Sequence, residues 1–514
     1  MLMTILRGLL FATAFLGLAL LVARLAFPPP AQPDRPTETA LPPATDGALA
    51  DAVTAQAAQH EGLSGIAALE DGMDAFVARM LLANAAVSSI DVQYYIWRAD
   101  MTGHLLLKAL LRAADRGVRV RLLLDDNGID DLDDVLAGMD THKNIEVRLF
   151  NPFVLRRFKR LSYAFDFFRL NHRMHNKAFT VDGRASILGG RNIGDEYFGT
   201  DETALKIDLD VVAVGDVVPK ISADFDRYWN ASSVHEAKRI LRRNGGLDLL
   251  ASRLRRFETA PRYAEYRSLL ESSDIVSSLM RGNLAIEWTR ADLISDDPVK
   301  IFGPVPRSEL FTSRLLDGVG PIQSRFDGVT PYFVPGTAGV AAFARLETNG
   351  VAVRMLTNSL EATNMLPVHV GYSKRRTDLL LAGVGLYELR AEAAGPSDHD
   401  VMGPLGSSGS NLHAKTFAVD GARIFVGSFN FDPRSATLNT EMGLIIHSER
   451  MATALHRAFD QGLGDLAWRV LLQDGHPVWR DPINQATLTQ EPGTTWLKRL
   501  ALRGIGWLPV EWLL

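Results

Sequence analysis

The chain has 514 residues, enough for two or three domains, with 47% apolar and 22% charged residues, an ordinary globular balance. Its formal net charge of −5 supplies no overall pull toward nucleic acid. It has no cysteine, which excludes disulfides, thiolate metal sites, a cysteine nucleophile and cysteine acylation.

Residues 8–23, GLLFATAFLGLALLVA, are a charge-free run between Arg7 and Arg24. A spanning helix needs ~20 apolar residues, so the run suffices if the arginines reach out to the interface. No small-x-small pattern after it makes a good cleavage site, which favours an uncleaved anchor over residues 1–27 against a cleaved signal. Residues 28–47 carry seven prolines and few apolar side chains. They open a linker, residues 28–64, expected to hold a globular body away from the membrane.

A helical run follows at 72–87, then an alternating aromatic strand, SSIDVQYYIW, at 88–97. Residues 103–117 read as a helix ending at Gly117, with strands at 118–126 and 145–152. The same rhythm returns later. VTPYFVP at 329–335 reads as a strand and 339–350 as a helix ending at Gly350, before strands at 351–359 and 384–390. RGVRVRLLLDD matches NGVAVRMLTNS in order and ending. Strand–helix–strand alternation argues for an α/β sheet with crossovers, here duplicated.

Each half then carries one motif. The first, HNKAFTVDG, has His175, Lys177 and Asp182, followed by Gly189, Gly190 and Asn192. The second has His413, Lys415 and Asp420, then Gly427, Ser428 and Asn430, at the same offsets from the histidine. Residues two apart share one face of a strand, so each histidine stands beside its lysine. A lone pattern of this kind arises easily by chance. A duplicated structural turn would keep the Asp-Gly but has no reason to keep a paired His and Lys. If the halves pack face to face, these bases converge on one point suited to a phosphodiester anion. A neutral imidazole can attack phosphorus while a protonated one delivers a proton to the leaving oxygen. Lysines and asparagine amides can hold the equatorial oxygens, so the chemistry needs no metal or other cofactor.

The two HxKxxxxD…GxxN blocks resemble the phospholipase D superfamily over residues 65–475. SSIDVQYYIW, RMHNKAFTVDG, GGRNIGDEYFG, RMLTNSLEATN and the terminal LPVEWLL are similar to bacterial cardiolipin synthases, particularly the C type. The resemblance implies an α/β fold of two repeated lobes, each a mixed sheet flanked by helices, with one active site between them and a phosphohistidine intermediate. The lobes would span 65–245 and 301–475, joined by a helical connection at 246–300 and followed by an amphipathic tail at 476–514. It implies His175 as nucleophile and His413 as acid, although the residues alone do not order them. Glu441 and Asp208 match the acidic positions that orient the histidine rings, Asp208 being preferred to Asp210 by alignment. The motif set is therefore His175, Lys177, Asp182, Asn192, His413, Lys415, Asp420, Ser428, Asn430, Glu441 and Asp208. Within it Asp182 and Asp420 read as ties for the turns into Gly183 and Gly421. The first copy has Gly190 where the second has Ser428.

Three features bear on the substrate. Residues 156–173, RRFKRLSYAFDFFRLNHR, interleave bases with aromatics just before the first motif, as an interfacial segment or a solvated loop would. The same interleaving could grip single-stranded nucleic acid. The tail carries Trp496, Trp507 and Trp512 with Lys498, Arg499 and Arg503, either docked or at a membrane surface. Anchor and tail together favour lipid over nucleic acid. Asn358, Thr363, His369, Tyr372 and Arg375 lie near second-half strand ends and are candidates to line a headgroup pocket, whereas Asp125 and Asp126 read as structural. The expected function is a membrane-bound phosphatidyltransferase that makes cardiolipin from phosphatidylglycerol and a second phospholipid, phosphatidylethanolamine by the C-type resemblance. Alternatives are a hydrolase of phospholipid headgroups, a nuclease, or a dead lipid-binding scaffold. The expected catalytic unit is a monomer at the bacterial inner membrane, with its body in the periplasm.

Overall fold

The structure, a computed structural model, describes residues 2–29, 31, 35–199, 206–241, 246–259, 286–363, 365–390, 412–481, 483–506 and 511–513, with 263, 264, 268 and 278. Two mixed sheets carry the fold. Among the described residues the first has nine strands: β1 (Ser64–Leu69), β2 (Ser89–Tyr94), β3 (Arg119–Asp125), β4 (Ile145–Phe150), β5 (Ala178–Val181), β6 (Ala185–Gly189), β7 (Asp210–Gly215), β8 (Val234–Glu236) and β9 (Glu287–Thr289), in the order β8-β4-β3-β2-β5-β6-β7-β1-β9. The second contains β10 (Ala291–Ser295), β11 (Arg325–Val329), β12 (Ala352–Asn358), β13 (Gly385–Leu389), β14 (Thr416–Val419), β15 (Arg423–Gly427), β16 (Met442–Ile446), β17 (Ala467–Gln473), β18 (His476–Arg480) and β19 (Thr487–Leu488), in the order β10-β16-β15-β14-β11-β12-β13-β17-β18-β19.

The duplication is explicit in the pairing. β4-β3-β2-β5-β6-β7-β1 repeats as β13-β12-β11-β14-β15-β16-β10, with β2–β3–β4 and β11–β12–β13 parallel and the rest antiparallel. A cross-strand ion pair repeats too. Arg121 on β3 faces Asp91 on β2, Nε to Oδ1 2.7 Å, and Arg354 on β12 faces Asp327 on β11 at the same 2.7 Å. Local sequence sets the elements. Helix Met101–Asp115 starts where the Asp100 carboxylate accepts the Gly103 N–H, and the chain leaves it through Gly117 at φ 101°.

At Val181 and Val419 the chain turns through Asp-Gly pairs with positive φ, 54° and 62° for Asp182 and Gly183, 53° and 67° for Asp420 and Gly421. Both turns lie in three-residue connections, between the paired Val181 and Ala185 and between the paired Val419 and Arg423. The Asp182 carboxylate accepts the N–H groups of Val87, Ser88 and Ser89, and that of Asp420 accepts those of Gln323, Ser324 and Arg325. Each clamp ties the motif hairpin to the start of the first parallel strand of its lobe.

The sheets face each other through an apolar layer. Ile66, Leu188 and Val211 of the first lobe pack with Ile424, Val426 and Leu444 of the second. At its end the backbones touch, with parallel bridges Met174–Thr440 and Ile207–Leu412.

Several sequence expectations meet a different structure. The strand expected at 329–335 lies earlier, at Arg325–Val329, because Pro331 and Pro335 lack the N–H a ladder needs. The proline-rich segment is not a free spacer. Arg35 donates to the carbonyls of Trp229, Ala231 and Val234, Glu38 pairs with Arg148 at 2.5 Å, and the Ala44 N–H reaches the Asp182 carbonyl. The segment is thus laid along the first lobe. The connection holds helix Gly246–Glu258 and then β9 and β10, one for each sheet, and the tail begins within β18.

Asp182→Ala leaves three backbone N–H groups, that of Ser89 buried and two half-buried, without a carboxylate, a loss of ~3 kcal/mol. The midpoint of thermal unfolding should fall by roughly 6–12 °C, and less for Asp420→Ala, whose clamp is more exposed. An unchanged midpoint for Asp182→Ala would remove the clamp from the account.

Candidate active site between the lobes

Each histidine–lysine pair precedes a central strand, β5 or β14. The last residue of the middle parallel strand of each lobe, one strand removed, fixes where it enters. Asp125, ending β3, accepts the Met174 N–H at 2.8 Å and an Arg173 N–H at 3.0 Å. Asn358, ending β12, donates to the Leu412 carbonyl at 3.2 Å. Met174 and Leu412 each precede their histidine, so β3 and β12 hold the same point by opposite hydrogen-bond senses.

The lobes then exchange backbone bonds. His175 N–H donates to the Thr440 carbonyl at 2.9 Å, and His413 N–H to the Ile207 carbonyl at 2.8 Å. Thr440 and Ile207 immediately precede the two acids. Glu441 Oε2 therefore lies 2.8 Å from His175 Nδ1, and Asp208 Oδ2 lies 2.6 Å from His413 Nδ1. Each imidazole is gripped at Nδ1 by a carboxylate from the opposite lobe, which leaves the second ring nitrogen, Nε2, on the far side of the ring. Asp210 is engaged elsewhere, with Arg79 at 2.7 Å. The Gly190–Ser428 difference has a steric cause. Ser428 Oγ donates to Glu441, whereas a Cβ on Gly190 would lie 2.0 Å from Asp208 Oδ1.

Lys177 Nζ donates to the His175 carbonyl at 2.5 Å and Lys415 Nζ to the His413 carbonyl. Asn192 is spent on structure, accepting the Ile96 N–H and donating to the Tyr197 hydroxyl. Asn430 Oδ1 is buried without a hydrogen-bond partner among the described residues.

Two tyrosines that motif reasoning missed complete the walls. Tyr95 meets His175, and Tyr197 meets His413, each edge-on with ring centroids 5.1 Å apart. Lys206, 2.8 Å from Glu196, lies 4.4 Å from the Tyr197 ring centroid. The strand ending QYYIW and the block GGRNIGDEYFG carried the tyrosines, but nothing in spacing says they face a histidine.

Other candidates lie elsewhere. Asp182 and Asp420 stand at the far ends of β5 and β14, in the turns. His369 Nε2 lies 2.6 Å from Glu491 of the tail, and the Tyr372 hydroxyl donates to Glu388 of the second lobe at 3.0 Å, so both are spent on structure. Arg375 meets Glu511, and the Thr363 hydroxyl accepts the Met365 N–H. Asn358 reaches the site as a backbone support. In the basic-aromatic stretch, the Tyr163 hydroxyl donates to Asn127, whose amide donates to the Tyr95 hydroxyl. The tail ends near the same place, with the Leu513 carbonyl on Arg434, which also donates to the Asn171 carbonyl. Trp507 and the side chains of Lys498, Arg503 and Trp512 lie outside the described residues.

Burial sets the electrostatics. It holds both histidines well below the usual imidazole range, with Lys177 and Lys415 pushing His175 further and Lys415 and Lys206 doing so for His413. Burial also lowers Lys177 to about 7 and Lys415 to about 8, and raises Glu441 to about 7. For the lysines, burial thus outweighs the nearby Glu441 and Asp208 carboxylates, which pull them back up.

The family model described as "Cardiolipin synthase, PLD-like domain" matches residues 80–229 and 322–463. The chain is 47% identical over 474 residues to cardiolipin synthase C of Escherichia coli, covering 91% of this chain and 99% of that protein. It is 26% identical to the major cardiolipin synthase of Bacillus subtilis, covering 77% of this chain and 68% of that protein. Among solved structures it resembles the phosphatidylserine synthase of Haemophilus influenzae, with a TM-score of 0.56 at 16% identity, covering 90% of this chain and all of that one. This last likeness shows the fold.

Anion binding should draw protons into the site. Lysines that ionise at about 7 and about 8 are neutral above those values, so sulfate should bind more weakly as pH rises from 7 to 9. At pH 8 its binding enthalpy should vary with the ionisation heat of the buffer, reporting proton uptake. Flat affinity across that range would contradict the charge balance described.

Proposed function

The chain belongs to the cardiolipin synthase family with phospholipase D-like domains, and from that premise we propose that His175 and His413 join two phospholipids into cardiolipin. The observation that carries the reading is the exchanged pair of carboxylate–histidine contacts, each imidazole being gripped at Nδ1 by an acid of the other lobe.

His175 Nε2, neutral in the empty site, attacks the phosphorus of the donor lipid. The bond from phosphorus to the headgroup oxygen breaks, and His413, protonated once the phosphate anion is bound, gives that oxygen its proton. A phosphatidyl group remains on His175. The free glycerol hydroxyl of phosphatidylglycerol then loses its proton to His413, attacks phosphorus and displaces His175. Lys177, Lys415 and Asn430 hold the equatorial oxygens, where charge concentrates as the fifth bond forms. Glu441 and Asp208 stabilise each imidazolium as it arises. The order of the two histidines rests on the likeness of the first motif to nucleophile motifs of the superfamily. The C-type likeness supports phosphatidylethanolamine as donor.

The chain is a membrane-bound enzyme acting on phospholipids. The apolar helix Leu2–Ala26 fits a bacterial inner-membrane protein. We assign the body to the periplasmic side, and the catalytic unit to a single chain that contains both motifs. The anchor favours lipid over nucleic acid as the phosphodiester.

Expression in a bacterial strain devoid of cardiolipin tests the reaction. Cardiolipin should form in its lipid extract. Phosphatidic acid without cardiolipin would mean that water, not glycerol, resolves the intermediate, making the protein a hydrolase. His175→Ala and His413→Ala should each lower turnover by about 10²–10⁴ or more. The double variant should lose little further, because the two act as a unit. Phosphatidyl label should be absent from His175→Ala and detectable on the His413→Ala chain. The reverse pattern would exchange the two roles.

A further inference from the structure

The exit of the apolar helix is built into the catalytic body. Arg24, near its end, pairs with the buried Asp166 at 2.5 Å, and the Phe27 ring lies 5.9 Å from that of Phe165. Both partners belong to helix Tyr163–Leu170. That helix is itself fastened to the first lobe, since Arg169 bonds Asp166 at 2.6 Å and donates to Asn151 and Pro152. The point where the chain leaves the bilayer and the surface of this helix are therefore one rigid unit.

What the unit presents to its surroundings is apolar and basic, with Asp130 and Asp133 paired to Lys159 and Arg156 beside it. Phe158, Leu161 and Phe168 are 58%, 59% and 77% exposed. Beyond the apolar helix and Phe27, the exposed phenylalanines among the described residues are Phe158, Phe168 and Phe302, so two of three fall within this short stretch. Arg157 and Arg160 are exposed beside them. A soluble surface gains nothing from leaving such rings in water. At headgroup depth the rings bury their faces and the arginines meet anionic lipid. The same helix reaches the active site through Tyr163, Asn127 and Tyr95, whose ring meets His175.

We infer that residues 157–168 are a bilayer-docking surface for an anionic leaflet, set by the Arg24–Asp166 contact at a fixed depth, so that phospholipid passes from the bilayer directly to the histidines. The anchor is then a positioning device, and the site mouth lies at the membrane surface. The step from bilayer to histidines rests on the phospholipid reading above; the docking surface does not.

The absence of native cysteine makes a single thiol a unique reporter. Phe168→Cys and Val87→Cys, the latter just before the start of β2 and 46% exposed, can each carry a fluorophore on the full chain in vesicles of phosphatidylethanolamine and phosphatidylglycerol. At position 168, quenching by nitroxide lipids should be strong and quenching by aqueous iodide weak, with the opposite pattern at position 87. Equal iodide quenching at both overturns the docking surface, and this readout needs no turnover. A chain that makes no cardiolipin but shields position 168 would refute the functional reading alone. In the second arm Phe158, Leu161 and Phe168 are all changed to serine. Turnover of vesicle lipid should fall by about tenfold or more, while turnover of a dispersed short-chain phospholipid stays within about twofold of the parent. An equal fall on both substrates would mean that the stretch serves the fold and not docking, and no fall on either would mean that it serves neither.

Discussion

Each of the two motif imidazoles is held at Nδ1 by a carboxylate of the opposite lobe. Glu441 reaches His175 and Asp208 reaches His413. Neither lobe can orient its own histidine, so everything that fixes the lobes against each other also fixes the chemistry. The apolar layer of Leu188, Val426 and Leu444 does this at long range. The backbone bonds from His175 to Thr440 and from His413 to Ile207 do it within one residue of the acids. Removing one partner of such a buried pair typically costs ~3–5 kcal/mol, since the other is left uncompensated.

The duplication is close to symmetric, and its departures are where the two histidines come to differ. Glu441 has the Ser428 hydroxyl beside it, while Asp208 fills the space a side chain at position 190 would need. Asn192 is committed to Tyr197, whereas Asn430 keeps an unpartnered oxygen in the site. Tyr95 and Tyr197 both come from the first lobe, so that lobe furnishes the edge-on ring for both histidines. An enzyme that must attack with one imidazole and protonate with the other has use for such asymmetry.

The motif residues were legible because duplication removes chance: the offsets from His175 and His413 agree, and so do the strands around them. The fold class followed from the same repetition. Other features depend on contacts that sequence spacing does not encode. The exchange of acids between lobes joins residues 266 and 205 positions apart. Tyr95 looked like one more strand aromatic. Prolines suggested a stiff spacer, yet Arg35 and Glu38 find partners on the first lobe and hold that segment down. His369 and Tyr372 sat at plausible strand ends, but a helical residue reaches whichever side its turn allows, and theirs leads to Glu491 and Glu388.

The exchanged carboxylates join the two motifs of one chain. Inactive His175→Ala and His413→Ala chains, co-reconstituted in the same vesicles, test this most directly. Each retains one intact motif, and if the site is built within a chain their mixture should make no more cardiolipin than either alone. Recovery of turnover in the mixture would mean that motifs from two chains combine, and would contradict a site assembled between the lobes of one molecule.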